Sequence, residues 1–418
     1  MTPPPFAHLI RCFGKIGVLS FGGPAAQISL MHNELVDRRR WLGERDFLSA
    51  LSLCMLLPGP EAMQLATYAG WRLRGVVGGI IAGGLFVLPG AFFVGLIALC
   101  YAQFGTVPWV QAAFLGIKAT VVVIVFQALF RLSKKTLTNY ASWRIGLASF
   151  TALFVFNIAF PVIIFAAGAI GFWRGSEPID PVTAPLEIKP RTFKTALIWG
   201  ALWGVPALFI WLFADDFYFQ IAFFFSKLAV VSFGGAYAAL SYMTQTVVTD
   251  FGWLSAPQMI DALGLAETTP GPLILVTQFV AMIAGFETGG VMRALFAGLI
   301  ALWMTFVPCF LWIFVAAPYL ERITHYPRLT GALQGVMAAI VGVILNLAVW
   351  FTLHVGFERL ATAGAFKMPV PVLETIDFRA VLLTGIAALL MLGLRRTFGQ
   401  TLVIMALAGI TLGLGPLA

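Results

Sequence analysis

The stretch FGKIGVLSFGGP at Phe13–Pro24 returns 212 residues later as FSKLAVVSFGGA at Phe225–Ala236. The match runs without a gap from 13–60 onto 225–272, with about 40% of positions identical, well above what two apolar segments share by chance. Lys15 falls on Lys227, Ser20-Phe21-Gly22-Gly23 on Ser232-Phe233-Gly234-Gly235, and Trp41-Leu42 on Trp253-Leu254. Pro58-Gly59-Pro60 falls on Pro270-Gly271-Pro272. Further along the offset becomes 219: Pro89 matches Pro308, Gly116 matches Gly335, and Gln127 aligns with Asn346. The chain is a duplicated unit. Its expected organisation is a first repeat over 1–175, a linker and connecting helix over 176–216, and a second repeat over 217–418.

Composition decides the medium in which these repeats fold. Of 418 residues, 60% are apolar and 11% charged, with a mean hydropathy of +0.93. A soluble domain is about half apolar and a quarter charged, so this is a polytopic membrane protein. At about 20 apolar residues per helical crossing, the length admits roughly nine to thirteen membrane elements and no large soluble domain. The net charge of +8 comes from Lys and Arg gathered in short loops, which is a topology signal and no argument for a nucleic-acid partner. Cys12, Cys54, Cys100 and Cys309 stand singly in apolar runs, and His8, His32, His325 and His354 are equally scattered. No metal site, cofactor or disulfide framework is expected. The N-terminus lacks a basic region followed by an apolar core and cleavage site, so no removable signal peptide is expected.

Between the repeats lies one apolar segment without a counterpart, Phe193–Phe213. If each repeat crosses an even number of times, this single helix inverts the second. Loop charge agrees: the first loop after FGG carries Arg38, Arg39, Arg40 and Arg45, whereas its equivalent carries Asp250 and no cation. The positive-inside rule puts the first in the cytoplasm, with Arg11, Arg72 and Arg74, and the second outside. The expected crossings are 76–104, 109–132, a short hairpin of 145–158 and 160–172, then 193–213, 291–316, 330–353, 379–394 and 400–417. The fold class expected is all-α, with two inverted-topology repeats whose helices break or re-enter at FGG and PGP.

These breaks are where chemistry is expected. Two glycines and a proline in Ser20-Phe21-Gly22-Gly23-Pro24 permit a left-handed turn and a helix restart. Interrupted backbone at membrane depth must be covered by protein or line a wet cavity. A restarted helix presents N–H groups and the positive end of its dipole, which together attract an anion. PGP repeats the device, so four helix starts are expected near one another. A lone GG would serve equally for close helix packing, and a lone PGP for a kink; their joint recurrence argues for more. Lys15 and Lys227, five residues before each FGG serine, are candidates to neutralise a dianion, or else snorkel to the interface. Lys118, mid-segment and matched by Met337, is a weaker candidate. Gln64 and Gln278 are candidate donors to an oxyanion, or interhelical contacts. Glu61 directly after the first PGP and Glu267 just before the second are candidate proton carriers, since a proton gained there is felt by a neighbouring anion. Glu61 also reads as a first-turn carboxylate complementing a helix dipole.

The set FGKIGVLSFGGP…WL…LPGP with FSKLAVVSFGGAYAAL…WL…TTPGP resembles the chromate ion transporter family in its long, two-domain form, over nearly the whole chain. The resemblance implies a multi-pass protein of the bacterial inner membrane that exports chromate, with the proton motive force as driver. It carries over Ser20 to Pro24, Pro58 to Pro60, Ser232 to Gly235 and Pro270 to Pro272. Ala236 departs from the FGGP form of the first repeat. The residues themselves say "small anion" and leave chromate, sulfate and other tetrahedral oxyanions open, as they leave open an exchanger or a passive anion channel. An enzyme is not expected, because there is no HExxH, Gly-x-Ser-x-Gly or paired acidic motif, and Asp215-Asp216 reads as a topology marker. Expected partners are the oxyanion, protons and the lipid bilayer. A homo-oligomer is compatible with the sequence, because lipid-facing and subunit-facing apolar surfaces look alike in it.

Overall fold

The computed structural model describes residues 4–175, 192–233, 236–319, 327–363 and 368–413. Helices dominate. The first repeat contains α1 (Phe6–Leu19), α2 (Gly23–His32), α3 (Glu44–Leu56), α4 (Glu61–Phe104), α5 (Pro108–Thr136), α6 (Tyr140–Phe154) and α7 (Phe160–Arg174). The connecting helix is α8 (Thr192–Phe213). The second repeat contains α9 (Asp216–Val231), α10 (Ala236–Gln245), α11 (Ala256–Thr268), α12 (Val276–Ala316), α13 (Pro327–Gly356), α14 (Phe378–Ala388) and α15 (Phe398–Gly413). It also holds an element that the sequence did not lead us to expect, a two-stranded antiparallel hairpin of β1 (Leu360–Ala363) and β2 (Met368–Pro371).

The duplication extends to irregular backbone. Helix α1 stops at Ser20 (φ −79°, ψ 67°) and α9 stops at Ser232 (φ −79°, ψ 57°). Both α2 and α10 run on into a π-helical turn, Asn33–Arg38 and Thr246–Asp250. Each turn is closed by a tryptophan: Trp41 N–H donates to Leu35 O, and Trp253 N–H donates to Val247 O. Both long helices are broken near their first third, α4 at Arg74-Gly75 and α12 at Gly289-Gly290, where Gly75 and Gly290 have φ of 64° and 72°. Helix therefore resumes at 76 and 291, where the expected crossings begin.

Among the described residues, five helical stretches are long and apolar enough to cross a membrane: Glu61–Phe104, Pro108–Thr136, Thr192–Phe213, Leu273–Tyr319 and Pro327–Gly356. The shorter apolar helices Phe160–Arg174, Phe378–Gly393 and Phe398–Gly413 fall on expected crossings as well. Helix α8 carries apolar side chains all round, with Phe193, Leu197, Val205, Phe209 and Phe213 exposed, as a lipid-facing helix must. This is an all-α polytopic membrane protein. Asp215, expected as a topology marker, also caps α9 by accepting from Tyr218 N–H and pairs with Arg293 at 2.8 Å.

The chain forms two compact units, and each draws on both repeats. The first comprises Met1–Ala98, Gly171–Ala239 and Thr269–Leu333, and in it α12 packs along α8 and α9. The second comprises Leu99–Ile170, Leu240–Thr268 and Gln334–Ala418, where α5 packs against α11, α14 and α15. Its core includes Ala119, Val123, Leu383, Ala387 and Met405. Small residues permit the closest approach, because a side chain at Gly116 would collide with the carbonyl of Met405.

Candidate functional site

The site begins with two serines that end two helices. Ser20 is fully buried and its Oγ donates to Ile16 O (2.6 Å), so its hydroxyl is occupied inside α1. Ser232 does the same with Ala229 O (3.3 Å). Their carbonyls, past the end of the helix, need outside donors. The donors come from the other repeat. Gly271 N–H donates to Ser20 O (2.9 Å), and Gly59 N–H donates to Ser232 O (2.9 Å). Each FGG is thus bonded to the PGP of the opposite repeat, as a reciprocal pair.

Glycine is required at the centre of each PGP. Gly59 has φ 119° and Gly271 φ 91°, where L side chains are strained. Space excludes a side chain too: a Cβ on Gly59 would lie 2.9 Å from Cys309 Sγ, and one on Gly271 3.3 Å from Gly90 Cα. Gly90 and Cys309 are themselves separated by 219 residues, so each PGP rests on the residue after the matched prolines Pro89 and Pro308. The flanking prolines have no N–H, and the single glycine N–H is spent on the opposite serine. Both PGP triplets are buried.

FGG is more open. Phe21 is exposed, as are Gly22, Ala25 and Ala26, while Gly23 and Pro24 are half-buried. Gly22 (φ 83°) and Gly23 (φ 78°) make the left-handed turn from which α2 restarts, with Pro24 in its first turn. Phe233 N–H closes onto Val231 O as Phe21 N–H closes onto Leu19 O. Gly234 and Gly235 lie outside the described residues.

The candidate side chains divide. Gln64, fully buried, donates from Nε2 to Pro58 O (2.6 Å), and Gln278 donates to Ala91 O (3.0 Å). Both brace backbone near the breaks, and the Oε1 of each accepts no hydrogen bond. Lys15 pairs with Glu34 Oε1 at 2.7 Å; Glu34 is buried and is held as well by Arg38 (2.9 Å) and Arg39. Lys227 is exposed. Glu61 is half-buried and is the first residue of α4, while Glu267 is buried near the end of α11. Lys118 reaches Asp261 of α11 at 3.3 Å.

One residue of the site escaped sequence reasoning. Gln27, buried in α2, donates from Nε2 to Gly271 O (2.7 Å) and to Ser20 O (3.3 Å). It ties one FGG–PGP junction together, and the equivalent position in the second repeat is Ala239. Its signal was an amide on a restarting apolar helix with no match in the other repeat.

The duplicated junctions belong to a pattern shared with known proteins. The family described as Chromate transporter matches twice, over residues 7–172 and 219–414. The chain is 31% identical over 350 residues to a probable chromate transport protein of Synechococcus elongatus, covering 82% of this chain and 83% of that one. It is 30% identical over 353 residues to the chromate transport protein of Cupriavidus metallidurans, covering 83% of each. It is also 30% identical over 359 residues to that of Pseudomonas aeruginosa, covering 82% and 80%. No solved structure matches.

Proposed function

The chain belongs to the chromate transporter family, and from that premise we propose that it is a secondary transporter exporting chromate across the bacterial inner membrane, driven by the proton motive force. A member of this family is a transporter and not an enzyme. The observation that carries the reading is the reciprocal bond pair, Gly59 to Ser232 and Gly271 to Ser20. Two repeats that each lend a broken helix to the other form the junction on which alternating access is built in duplicated transporters.

The two motifs take different parts in this reading. PGP is the buried brace. FGG is the mouth, where the first turn of α2 offers N–H groups to an anion on an open surface. A tetrahedral dianion suits such a site, because helix starts read charge and shape. Phe21 flanks it, and the second FGG, Ser232 to Gly235, supplies the counterpart. Lys15 sets a positive potential nearby while its ammonium stays with Glu34. Glu61 and Glu267 are the carboxylates that stand beside the breaks. Inversion of the second repeat, with the Arg38–Arg45 loop cytoplasmic, makes the two junctions face opposite sides in turn.

The test is chromate flux in proteoliposomes of both orientations, with and without a pH gradient and with sulfate as competitor. Uphill chromate movement that collapses when the gradient is discharged is the expected result. Downhill flux blocked equally by sulfate would make the protein a passive oxyanion channel or an exchanger and overturn the coupled reading.

A further inference from the structure

The second compact unit holds an ionic cluster that the anion site does not use. Asp261 lies in α11, with 5% of its surface exposed. Tyr101 Oη donates to its Oδ2 at 2.8 Å, and the Lys118 ammonium lies 3.3 Å from its Oδ1. The lysine contact is an ion pair at the long end of hydrogen-bond range. Lys118 from α5 and Tyr101 from α4 are the titratable groups that face the carboxylate. The helices meet closely here, since a Cβ at Gly264 would lie 2.6 Å from Ile117 Cγ2.

The molecule supplies its own control. The duplication places Ser49 where the second repeat has Asp261, and Met337 where the first has Lys118. By sequence, then, the duplication repeats neither charge: a hydroxyl stands at the position of the aspartate and a thioether at that of the lysine. A buried ion pair is weak evidence for stability, because desolvation offsets most of its attraction. A buried charge pair in a membrane protein, on residues the duplication does not repeat, points to a task in which charge changes.

We propose that Asp261 is the proton-binding carboxylate of the transport cycle, with Lys118 and Tyr101 as the groups that hold its ionised form. This rests on the reading that transport is proton-coupled, and it assigns the coupling to Asp261 in place of Glu61 and Glu267. One proton adds to the Asp261 carboxylate and leaves it later in the cycle; Lys118 keeps its own proton throughout. Neutral Asp261 no longer attracts the ammonium, so the α5–α11 contact has two charge states. Helix α11 ends at Thr268, two residues before the Pro270 break, so its position bears on the chain that enters the second junction.

The test uses full-length protein in proteoliposomes with two readouts. Chromate counterflow at equal pH needs the anion site and no net proton movement; gradient-driven flux, with an entrapped pH dye, needs both. In Asp261→Asn, counterflow persists while acceleration by the gradient falls to onefold and the dye signal vanishes. Asp261→Glu restores a response. If Asp261→Asn does not fold, the paired variant Lys118→Met with Asp261→Ser, copied from the other repeat, carries the test with the same expected outcome. A gradient response that survives in Asp261→Asn or in the paired variant overturns the assignment. Loss of counterflow together with the response in a folded paired variant overturns it in favour of a structural pair. A wild type with counterflow and no gradient response removes the coupled reading, and this assignment with it.

Discussion

Gln27 is one amide answering two carbonyls, Ser20 O and Gly271 O, inside a helix junction closed to water. Both carbonyls also receive or flank the Gly271 N–H bond, so the amide fixes the spacing of the chain segments that cross there. Its counterpart, Ala239, makes no such tie, and the two junctions are chemically unequal although their backbones match. Replacing Gln27 with Leu keeps the volume and removes the donor, which leaves a buried carbonyl one bond short. A loss of about 1–2 kcal/mol is expected. It is read as a lower melting temperature in detergent, together with chromate counterflow reduced severalfold. Equal behaviour of Gln27→Leu and wild type would mean that the Gly271 N–H bond alone sets the junction.

At the scale of elements, the π-helical turns after α2 and α10 are the clearest case of structure duplicated without duplicated chemistry. The first holds Glu34, buried and ringed by Lys15, Arg38 and Arg39; the second has Thr246 in the same place. An extra residue in a helical turn rotates the side chains around it, and here it turns Glu34 toward the end of α1. Glu34→Gln removes the charge that gathers three cations. Because those cations are partly exposed and water screens them, the expected cost is about 2 kcal/mol and not the larger penalty of a fully buried pair. Thermal unfolding of Glu34→Gln checks it, and added salt should narrow the gap from wild type. The stops at FGG and PGP were legible in the sequence, because glycine and proline act locally. The π turns were not, since one inserted residue leaves no mark on an apolar pattern. Nor was the β1–β2 hairpin, four residues a side and closed by pairing between strands.

Across the whole molecule, each compact unit is assembled from both repeats, so neither repeat is a self-contained body. Inversion of the second repeat predicts that equivalent loops lie on opposite faces of the membrane. Asp37 and Thr249 occupy the same exposed place in the two π turns. Cys12, Cys54 and Cys309 are buried and Cys100 is exposed, so Cys100→Ser provides the background for labelling. In it, Asp37→Cys should react with an impermeant maleimide only from the cytoplasmic face, and Thr249→Cys only from the outside. Labelling of both from one side would show parallel repeats and remove the basis for alternating junctions.

The sequence by itself determined the medium, the duplication, the helical class and the places where helices break. All four come from composition and from spacings within one stretch or between two copies of it. Only the tertiary structure decided that each FGG meets the PGP of the opposite repeat, that Lys15 belongs to Glu34, and that Lys118 belongs to Asp261. A carbonyl freed at a helix end and a charge taken out of water must each find a partner. In a packed bundle that partner is chosen by which helices touch, and α1 with the second PGP, or α5 with α11, are joined across more than a hundred residues of chain that carry no local trace of the pairing.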